Sequence, residues 1–295
     1  MPTKNLKLTS LDKLYWPKEK ITKGQLIEYY DKISPFILTY LKKRPLSLKR
    51  NPNGIKDNGF YQKDAIEIAP DWMKTADFYS PSADKIVHYL VCNKKEELLF
   101  VANLGCIEMN PWSSTVGEPD HPDYLAIDLD PSDKNNFDQV IETALVVKEV
   151  CDRAKISAYC KTSGATGIHI YIPCKKKYHY DVVRDFAHLI AMRVNEQLPE
   201  LTTLERSLAK RKKTQIYIDY LQNSRGQTLA SAYSVRPKPG ATVSTPLDWK
   251  EVKSGLDPSI FNLNTIPGRV AKKGDLFKQV LGKGIDLERA QRLLQ

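Results

Sequence analysis

Apolar positions along the chain follow two periodicities. A recurrence every three or four residues predicts amphipathic helices. One such segment starts at Thr22, and the others cover Phe137 to Ala154, Tyr180 to Leu198 and Leu287 to Leu294. Short alternating or continuous apolar runs predict strands. These runs are Glu97 to Asn103, Tyr124 to Asp130, Ser157 to Lys161, Ile168 to Ile172, Thr214 to Leu221 and Ala230 to Val235. Because strands and helices interleave irregularly, the pattern predicts a mixed α+β fold.

The first helix carries a start signal in the sequence. Thr22 and Gln25 have the spacing of a capping box, in which each side chain satisfies a backbone N–H of the other residue. Pro35 lies farther along the same apolar stripe, and we expect it to disturb the helix.

The sharpest local pattern is the segment LAIDLDP, which ends at Pro131. Because side chains alternate faces along a strand, its two leucines and isoleucine share one face, whereas Asp128 and Asp130 share the other. Two carboxylates about 7 Å apart that point the same way repel each other unless a cation lies between them. Oxygen ligands of this kind suit Mg²⁺ or Mn²⁺. The alternative is a solvated strand end followed by a helix N-cap at Ser132 or Asp133.

A small, turn-prone loop follows the next predicted strand. It contains Ser163, Gly164, Thr166 and Gly167, and its backbone N–H groups could cradle a phosphate. His169 comes next on a strand and could donate a hydrogen bond to a phosphate or a sugar. The alternative is a plain β-hairpin with a packed histidine.

A third acid, Asp219, lies on the polar face of the predicted strand Thr214 to Leu221. A buried carboxylate is costly unless it is paired or bound to a metal. Taken alone, this residue is better explained by a structural salt bridge with Arg225 or Arg236.

Charge points to a polyanionic partner. The chain has 45 Lys and Arg against 35 Asp and Glu, a formal net charge of +10, and the excess is concentrated in residues 1–50 and in the run RSLAKRKK. Such surfaces attract nucleic acid, although a solvated basic face is the alternative. The five cysteines form no C-x-x-C pair, which argues against a disulfide framework or a zinc ribbon.

Targeting signals are not evident in the sequence. No apolar stretch approaches the ~20 residues of a membrane span, and the segment MPTKNLKLTSLDK lacks the apolar region of a secretory signal. We therefore expect a cytoplasmic protein without membrane partners.

Several segments, taken in order, resemble the archaeo-eukaryotic primase superfamily, and most closely the polymerase domain of bacterial ATP-dependent DNA ligase D. They are LDKLYWP, ITKGQLIEYY, GFYQK, LAIDLDPS, KTSGATGIHIYIP, IDYLQNSRGQTLASAYSVRPKPGATVSTPLDWKEV and LGKGIDLERA. The resemblance runs nearly from end to end. It implies an α+β fold with a primase-like catalytic core of mixed and antiparallel β-sheets flanked by helices.

The resemblance also implies a function. Members are template-directed nucleotidyltransferases that fill gaps and extend ends in non-homologous end joining, with a preference for ribonucleotides and two Mn²⁺ or Mg²⁺ ions. The implied partners are DNA ends and gaps with a 5′-phosphate, NTP or dNTP, Ku and an ATP-dependent DNA ligase, in a nucleoid-associated location. Residues 1–295 would form one catalytic domain, with a DNA-end-binding portion at about 1–120, a metal and nucleotide core at about 121–250 and an extension at about 251–295.

Site residues follow from the resemblance by position. The implied metal-binding and catalytic triad is Asp128, Asp130 and Asp219. The implied nucleotide-binding residues are Ser163, Gly164, Thr166, His169, Arg236 and Asn110. The implied DNA-binding residues are Lys13 and Lys23 at the 5′-phosphate, Phe60 and Tyr61 stacked on the template, and Lys212 at the primer. Relatives often have Lys at position 166, His at 110 and Phe at 61, so this chain departs from them at three places.

Two further functions are compatible with parts of the sequence. The segment Asp128 to Ser132 also fits the D-x-D-x-[ST] nucleophile motif of haloacid dehalogenase-type phosphatases. That fold needs a late acidic pair, and Gly274-Asp275 lacks the partner acid. The basic surface would equally serve a non-catalytic module that binds DNA ends.

Overall fold

The structure is a computed structural model that describes residues 6–81 and 83–295. Its strands are β1 (Leu14–Trp16), β2 (Ile21–Thr22), β3 (Leu46–Arg50), β4 (Phe60–Gln62), β5 (Thr75–Ser80), β6 (Lys85–Leu90), β7 (Cys106–Pro111), β8 (Tyr124–Asp130), β9 (Tyr159–Thr162), β10 (Ile168–Pro173), β11 (Thr202–Thr203), β12 (Ile216–Asp219) and β13 (Pro246–Leu247). Its α-helices are α1 (Lys23–Leu41), α2 (Lys95–Asn103), α3 (Phe137–Arg153), α4 (Tyr180–Gln197), α5 (Ile266–Lys273) and α6 (Leu287–Leu294). The predicted mixed α+β class is confirmed.

The chain forms two compact units, each assembled from three segments. Unit 1 takes the described residues within Met1–Gly117, Thr228–Ser244 and Ser259–Gly274. Unit 2 takes Glu118–Gln227, Thr245–Pro258 and Asp275–Gln295. The division of function near positions 120 and 250 stays a prediction.

Unit 2 is built on a six-stranded sheet in the order β11-β12-β8-β10-β9-β13. Its strand pairs are antiparallel apart from the parallel pair β11 and β12. Helices α3 and α4 pack on each other and on β8. The apolar face of β8, formed by Leu125, Ile127 and Leu129, is completely buried, as the alternation along this strand predicts.

Helix α3, which follows β8, begins later than a helix capped by Ser132 or Asp133 would. Asn136 is the N-cap of α3, because its Oδ1 accepts the N–H of Gln139 at 3.0 Å and Gln139 Oε1 accepts the N–H of Asn136 at 3.0 Å. The possible N-cap at Ser132 or Asp133 is therefore wrong. Ser132 instead belongs to a turn in which its hydroxyl contacts Asn135 Oδ1 at 2.8 Å.

Unit 1 contains the predicted capped helix. Thr22 Oγ1 accepts the N–H of Gln25 at 3.2 Å, and Gln25 Oε1 accepts the N–H of Thr22 at 2.8 Å, so the capping box is present. The expected disturbance at Pro35 is wrong, since α1 continues through it. Pro35 has no N–H for the carbonyl of Asp31, but Ser34 Oγ donates to that carbonyl at 2.8 Å and replaces the missing bond.

Two predicted strands of unit 1 are wrong. The run Glu97 to Asn103 lies in helix α2, and the buried Glu97 carboxylate accepts N–H groups of Asn93 and Lys94 at the start of that helix. A short apolar run has no periodicity that separates a strand from a buried helix. The segment Ala230 to Val235 makes only an isolated bridge, between Val235 and Val243.

The sheets of unit 1 are small. One has the strand order β4-β3-β7, and two others are the pairs β1-β2 and β5-β6. Helix α1 packs against α2 and α5. Within the described residues, none of the helices combines the length and apolar character needed to cross a bilayer.

Candidate active site

Strands β8 and β12 bring the three predicted acids to one face of the unit 2 sheet. Asp219 is the direct cross-strand partner of Asp128, and Tyr217 is the partner of Asp130. Opposed residues of an antiparallel pair point to the same face, with Cβ atoms about 5 Å apart. Residues that are 91 positions apart in the chain thus become neighbours, as the resemblance implies.

The charges of these acids affect one another. Burial raises the pKa of Asp130, the guanidinium of Arg211 lowers it, and the negative charge of Asp219 raises it again. Arg211 Nη1 lies 3.8 Å from Asp130 Oδ2, and its guanidinium carbon stands 3.7 Å from the centre of the Tyr217 ring. A cation beside these carboxylates would relieve their repulsion.

Asp219 is held by donors close to it in the chain. Its Oδ1 accepts the N–H of Leu221 at 2.9 Å and the hydroxyl of Tyr217 at 3.3 Å, and its Oδ2 accepts Gln222 Nε2 at 2.8 Å. Burial raises the pKa of Tyr217, and the charge of Asp219 raises it further. The phenol therefore stays protonated and can donate to this carboxylate.

The two arginines considered as salt-bridge partners of Asp219 have other acids beside them. Arg225 Nε lies 3.3 Å from Asp120 Oδ1, and Arg236 Nε lies 2.7 Å from Glu108 Oε2.

His169 lies next to Asp128 on the neighbouring strand, β10. It is buried, with 3% of its surface exposed. Its Nε2 is 3.3 Å from Asp128 Oδ1, and its Nδ1 is 2.8 Å from Lys161 Nζ on β9. The prediction that this histidine belongs with the acids is therefore consistent with its position, whereas the sequence patterns gave no reason to select Lys161.

The loop between β9 and β10 closes on itself through its serine. Ser163 Oγ accepts the N–H groups of Ala165 and Gly167, both at 3.0 Å, so two of the expected phosphate donors are already used inside the loop. Gly164 adopts a φ of +73°. A Cβ on Gly167 would lie 2.1 Å from Leu129 O, which excludes larger residues there. Thr166 is exposed at the tip of the loop.

Asn223 supports β8 in a way that sequence patterns did not reveal. Its side chain is buried, and it acts as an extra strand residue: Oδ1 accepts the N–H of Ala126 at 2.8 Å and Nδ2 donates to the carbonyl of Ala126 at 2.7 Å. The same Nδ2 donates to Tyr220 O at 2.8 Å. One amide thus fixes the acid-bearing strand to the turn that follows β12.

The basic run after α4 lies beside the acids. A cavity of about 440 Å³ is bordered by Asp130, Arg211, Lys212 and Lys213, among others. Lys212 is exposed and lies 3.4 Å from Glu200 Oε2. The predicted primer contact therefore belongs to a basic loop next to one acid of the triad.

In unit 1, the predicted residues Tyr61 and Asn110 share one face of the β4-β3-β7 sheet. Lys49 is the cross-strand partner of both Tyr61 and Glu108, and Glu108 holds Arg236. Asn110 is buried, and its Nδ2 donates to Ser47 O at 3.3 Å. Lys49 was not selected from the sequence, because a lysine on a short strand is not distinctive.

The aromatic pair lies on the edge strand β4. Phe60 is 47% exposed and Tyr61 is 60% exposed. Arg50 Cζ lies 5.4 Å from the centre of the Phe60 ring, and Lys49 Nζ lies 4.8 Å from that of Tyr61. As consecutive residues of a strand, the two side chains point to opposite faces of the sheet. Each exposed ring lies beside a cation, an arrangement on which a base can stack.

The two predicted phosphate-binding lysines are neighbours in unit 1. The backbone N–H of Lys23 donates to Lys13 O at 2.8 Å. Burial lowers the pKa of Lys23, and the charge of Lys13 lowers it further. Lys13 is exposed and donates to Asn53 Oδ1 at 2.6 Å, whereas Lys23 Nζ is buried and donates to Thr9 O at 2.8 Å. Lys13 is thus the more accessible of the two.

The acids fit a divalent metal by chemistry, although they do not enclose one position. The donors are all carboxylate oxygens, which Mg²⁺ and Mn²⁺ prefer, and the effect of Asp219 on Asp130 shows that they are close enough to repel. In the part of the chain that the structure describes, no group of three or more His, Cys, Asp or Glu side chains is arranged around a single cation position. The carboxylates face Arg211, His169 and the donors around Asp219 instead.

Comparison with known proteins identifies the family. The family model described as LigD, primase-polymerase domain matches residues 22–277. The chain is 35% identical over 273 residues to the bifunctional non-homologous end joining protein LigD of Bacillus subtilis, covering 92% of this chain and 43% of the relative. It is 29% identical over 269 residues to the multifunctional non-homologous end joining protein LigD of Pseudomonas aeruginosa, covering 91% of this chain and 32% of the relative.

A solved structure shows the same fold. The polymerase domain of Mycobacterium tuberculosis ligase D in complex with DNA superposes with a TM-score of 0.86 at 24% identity, covering 95% of this chain and 99% of that chain. The chain therefore spans less than half the length of the curated relatives named above, but nearly all of a solved polymerase domain. The chain belongs to the family of LigD primase-polymerase domains, which are DNA-directed nucleotidyltransferases.

Proposed function

We propose that this chain adds nucleotides to a DNA primer opposite a template, at gaps and broken ends that are then joined. The observation that carries this proposal is the pairing of Asp219 with Asp128 across β12 and β8, which brings Asp130 to the same sheet face. The relatives named as end-joining proteins support the cellular role. The proposal includes a cytoplasmic, nucleoid-associated location. It also includes two partners, Ku and an ATP-dependent ligase.

In nucleotide transfer, a primer 3′-hydroxyl attacks the α-phosphate of a nucleoside triphosphate and pyrophosphate leaves in line. Asp128, Asp130 and Asp219 are proposed to hold two divalent cations, Mn²⁺ or Mg²⁺. Such ions, when bound, stabilise the charge on the attacking and leaving oxygens. The acids supply the oxygen ligands for this, and the hydrogen bonds to Asp219 fix one of the three carboxylates in advance.

Contacts to the triphosphate are proposed for the loop after β9 and for the start of β10. Ser163, Gly164, Thr166 and His169 lie there, close to the acid-bearing strand. Arg236 and Asn110 of unit 1 are proposed as further nucleotide contacts from the resemblance. Preference for ribonucleotides is part of the same proposal.

Contacts to DNA are proposed for unit 1 and for the basic loop of unit 2. Phe60 and Tyr61 would stack on the template, since stacking accepts any base and contributes ~1–3 kcal/mol per base. Lys13 and Lys23 would bind the 5′-phosphate across a gap, and Lys212 would contact the primer. The solved relative is a complex with DNA, which supports a DNA substrate.

The haloacid dehalogenase alternative is wrong, because the chain belongs to a different family and fold. In this chain the D-x-D-x-[ST] pattern is formed by the end of strand β8 and the residues that follow it.

Primer extension on a gapped duplex with a 5′-phosphate tests the proposal. We compare ribonucleotides with deoxyribonucleotides, each with Mn²⁺ and with Mg²⁺. Wild-type protein is expected to extend the primer, and Asp128→Ala to lose at least about a thousandfold in rate, because a ligand of the catalytic cations is removed. Asp185→Ala is the matched control, since Asp185 is an exposed acid of helix α4 in the same unit.

Two results would contradict the proposal. Full extension by Asp128→Ala would remove this acid from the catalytic group. A wild-type protein that binds gapped DNA but extends no primer with either metal would favour the non-catalytic end-binding module.

A further inference from the structure

A lysine is completely buried behind the proposed nucleotide contacts. Lys161 lies on β9 with no exposed surface, directly across from His169 on β10. Its Nζ is 2.8 Å from His169 Nδ1 and 5.6 Å from the centre of the Tyr171 ring. Lysine is almost never fully buried without a partner, so an ammonium group at this position needs a specific reason.

The lysine determines which ring nitrogen of the histidine carries the proton. An ammonium group has three donors and no acceptor, so His169 Nδ1 must accept from Lys161. The proton of the neutral ring then lies on Nε2, because the bond at one imidazole nitrogen sets the state of the other. That nitrogen faces Asp128 Oδ1 at 3.3 Å.

The sheet face that carries the acids requires a hydrogen-bond donor beside Asp128. A carboxylate such as Asp128 and the oxygens of a triphosphate are all acceptors. A lone pair on His169 Nε2 would repel either of them, whereas an N–H group binds either of them. The three strands β8, β10 and β9 hold Asp128, His169 and Lys161 in one cross-strand row, so the ring cannot turn away without breaking this row.

We propose that Lys161 is a positioning residue for the incoming nucleotide: it fixes His169 as an Nε2–H donor directed at Asp128, on the face of the sheet that carries the acids. The inference deepens the proposed nucleotide-transfer function and rests on it for the identity of the ligand. The buried ammonium adds positive charge behind the imidazole, in a region where little solvent screens its effect on a triphosphate.

The proton position can be measured without any catalysis. Protein labelled with ¹⁵N-histidine is studied by NMR without nucleotide, and the resonances of His169 are assigned by their loss in His169→Asn. The expected result is a neutral ring with its proton on Nε2. A proton on Nδ1, in either a neutral or a cationic ring, would overturn the proposal.

Two variants then test whether position 161 needs a hydrogen-bond donor or only a side chain that fills the space. Lys161→Gln keeps a side chain that can donate to Nδ1, whereas Lys161→Met has a similar length and no donor. We expect Lys161→Met to raise the KM for the incoming nucleotide about tenfold, a value typical of one lost hydrogen bond in a buried site, with a smaller change in kcat. Lys161→Gln is expected to keep the Nε2–H tautomer and to recover most of the KM.

Equal nucleotide KM values for the two variants, both with wild-type circular dichroism, would overturn the proposal. If wild-type protein extends no primer, the proposed function fails, while the NMR result still decides whether Lys161 fixes the imidazole.

Discussion

The acids of unit 2 and the aromatic pair of unit 1 lie in opposite surroundings. In unit 2 the three acids and His169 lie on inner strands of a six-stranded sheet, and His169 is only 3% exposed. In unit 1 the aromatic pair Phe60 and Tyr61 lies on the edge strand of a three-stranded sheet and is about half exposed. Burial on inner strands fixes geometry, whereas an edge strand leaves faces free for a large ligand.

This difference matches two physical requirements. Reacting groups must be held within a fraction of an ångström, which needs packing and supporting hydrogen bonds. A surface that stacks on arbitrary bases needs exposed rings and cations, with less exact placement. We therefore expect changes in unit 2 to affect stability and rate, and changes in the edge strand of unit 1 to affect DNA affinity.

The largest effect on stability is expected at Asn223 of unit 2. Asn223→Ala removes two buried hydrogen bonds and one partly buried one, and should lower the free energy of unfolding by about 2–3 kcal/mol. Urea denaturation followed by tryptophan fluorescence measures the change. Asn58→Ala in unit 1 is the control, because Asn58 is exposed. Equal stability of the two variants would show that this amide does not anchor β8.

A smaller effect is expected at the aromatic edge of unit 1. Tyr61→Ala should raise the Kd for gapped DNA about tenfold, within the range for one lost base stack, while kcat at saturating DNA changes little. Fluorescence anisotropy with labelled DNA gives the Kd. Ile260→Ala is the control, since Ile260 is a similarly exposed apolar residue of the same unit. A fall in kcat with an unchanged Kd would contradict the contrast between the units.

The smallest effect is expected at Lys13, the lysine that we propose binds the 5′-phosphate. Lys13→Gln should reduce the preference for a 5′-phosphorylated gap over an unphosphorylated gap by about fivefold, because one exposed ion pair contributes up to ~1 kcal/mol. The ratio of kcat/KM on the two gaps measures this preference. Lys272→Gln, at an exposed lysine of α5, is the control. An equal loss on both gaps would show that Lys13 does not anchor the phosphate.

The predictions from the sequence were most accurate for elements that bury only one face. The strand Tyr124 to Asp130 is found with the predicted bounds, because its apolar face is fully buried and its acids lie on the other face. The capping box of α1 and the helices α3 and α4 likewise follow from local spacing.

Features set by distant parts of the chain were harder to predict. The alternation near Asp219 places it on a polar face, but its pairing with Asp128 depends on strand order, which only the family resemblance supplied. The run at Glu97 lacks a period, and the buried Glu97 carboxylate that caps the start of α2 is not evident from the pattern. Lys161 looks like an ordinary strand residue, and only the register across β8, β10 and β9 shows what it contacts.

The central claim is that the three acids of unit 2 hold divalent cations, and binding of Mn²⁺ tests it most directly. Electron paramagnetic resonance of free Mn²⁺ is recorded with a non-hydrolysable nucleoside triphosphate, and the Mn²⁺ bound by nucleotide alone is subtracted. Wild-type protein and the Asp185→Asn control should each bind about two Mn²⁺ ions per chain, and the double variant Asp128→Asn, Asp219→Asn should bind none. Undiminished Mn²⁺ binding by the folded double variant would contradict the claim.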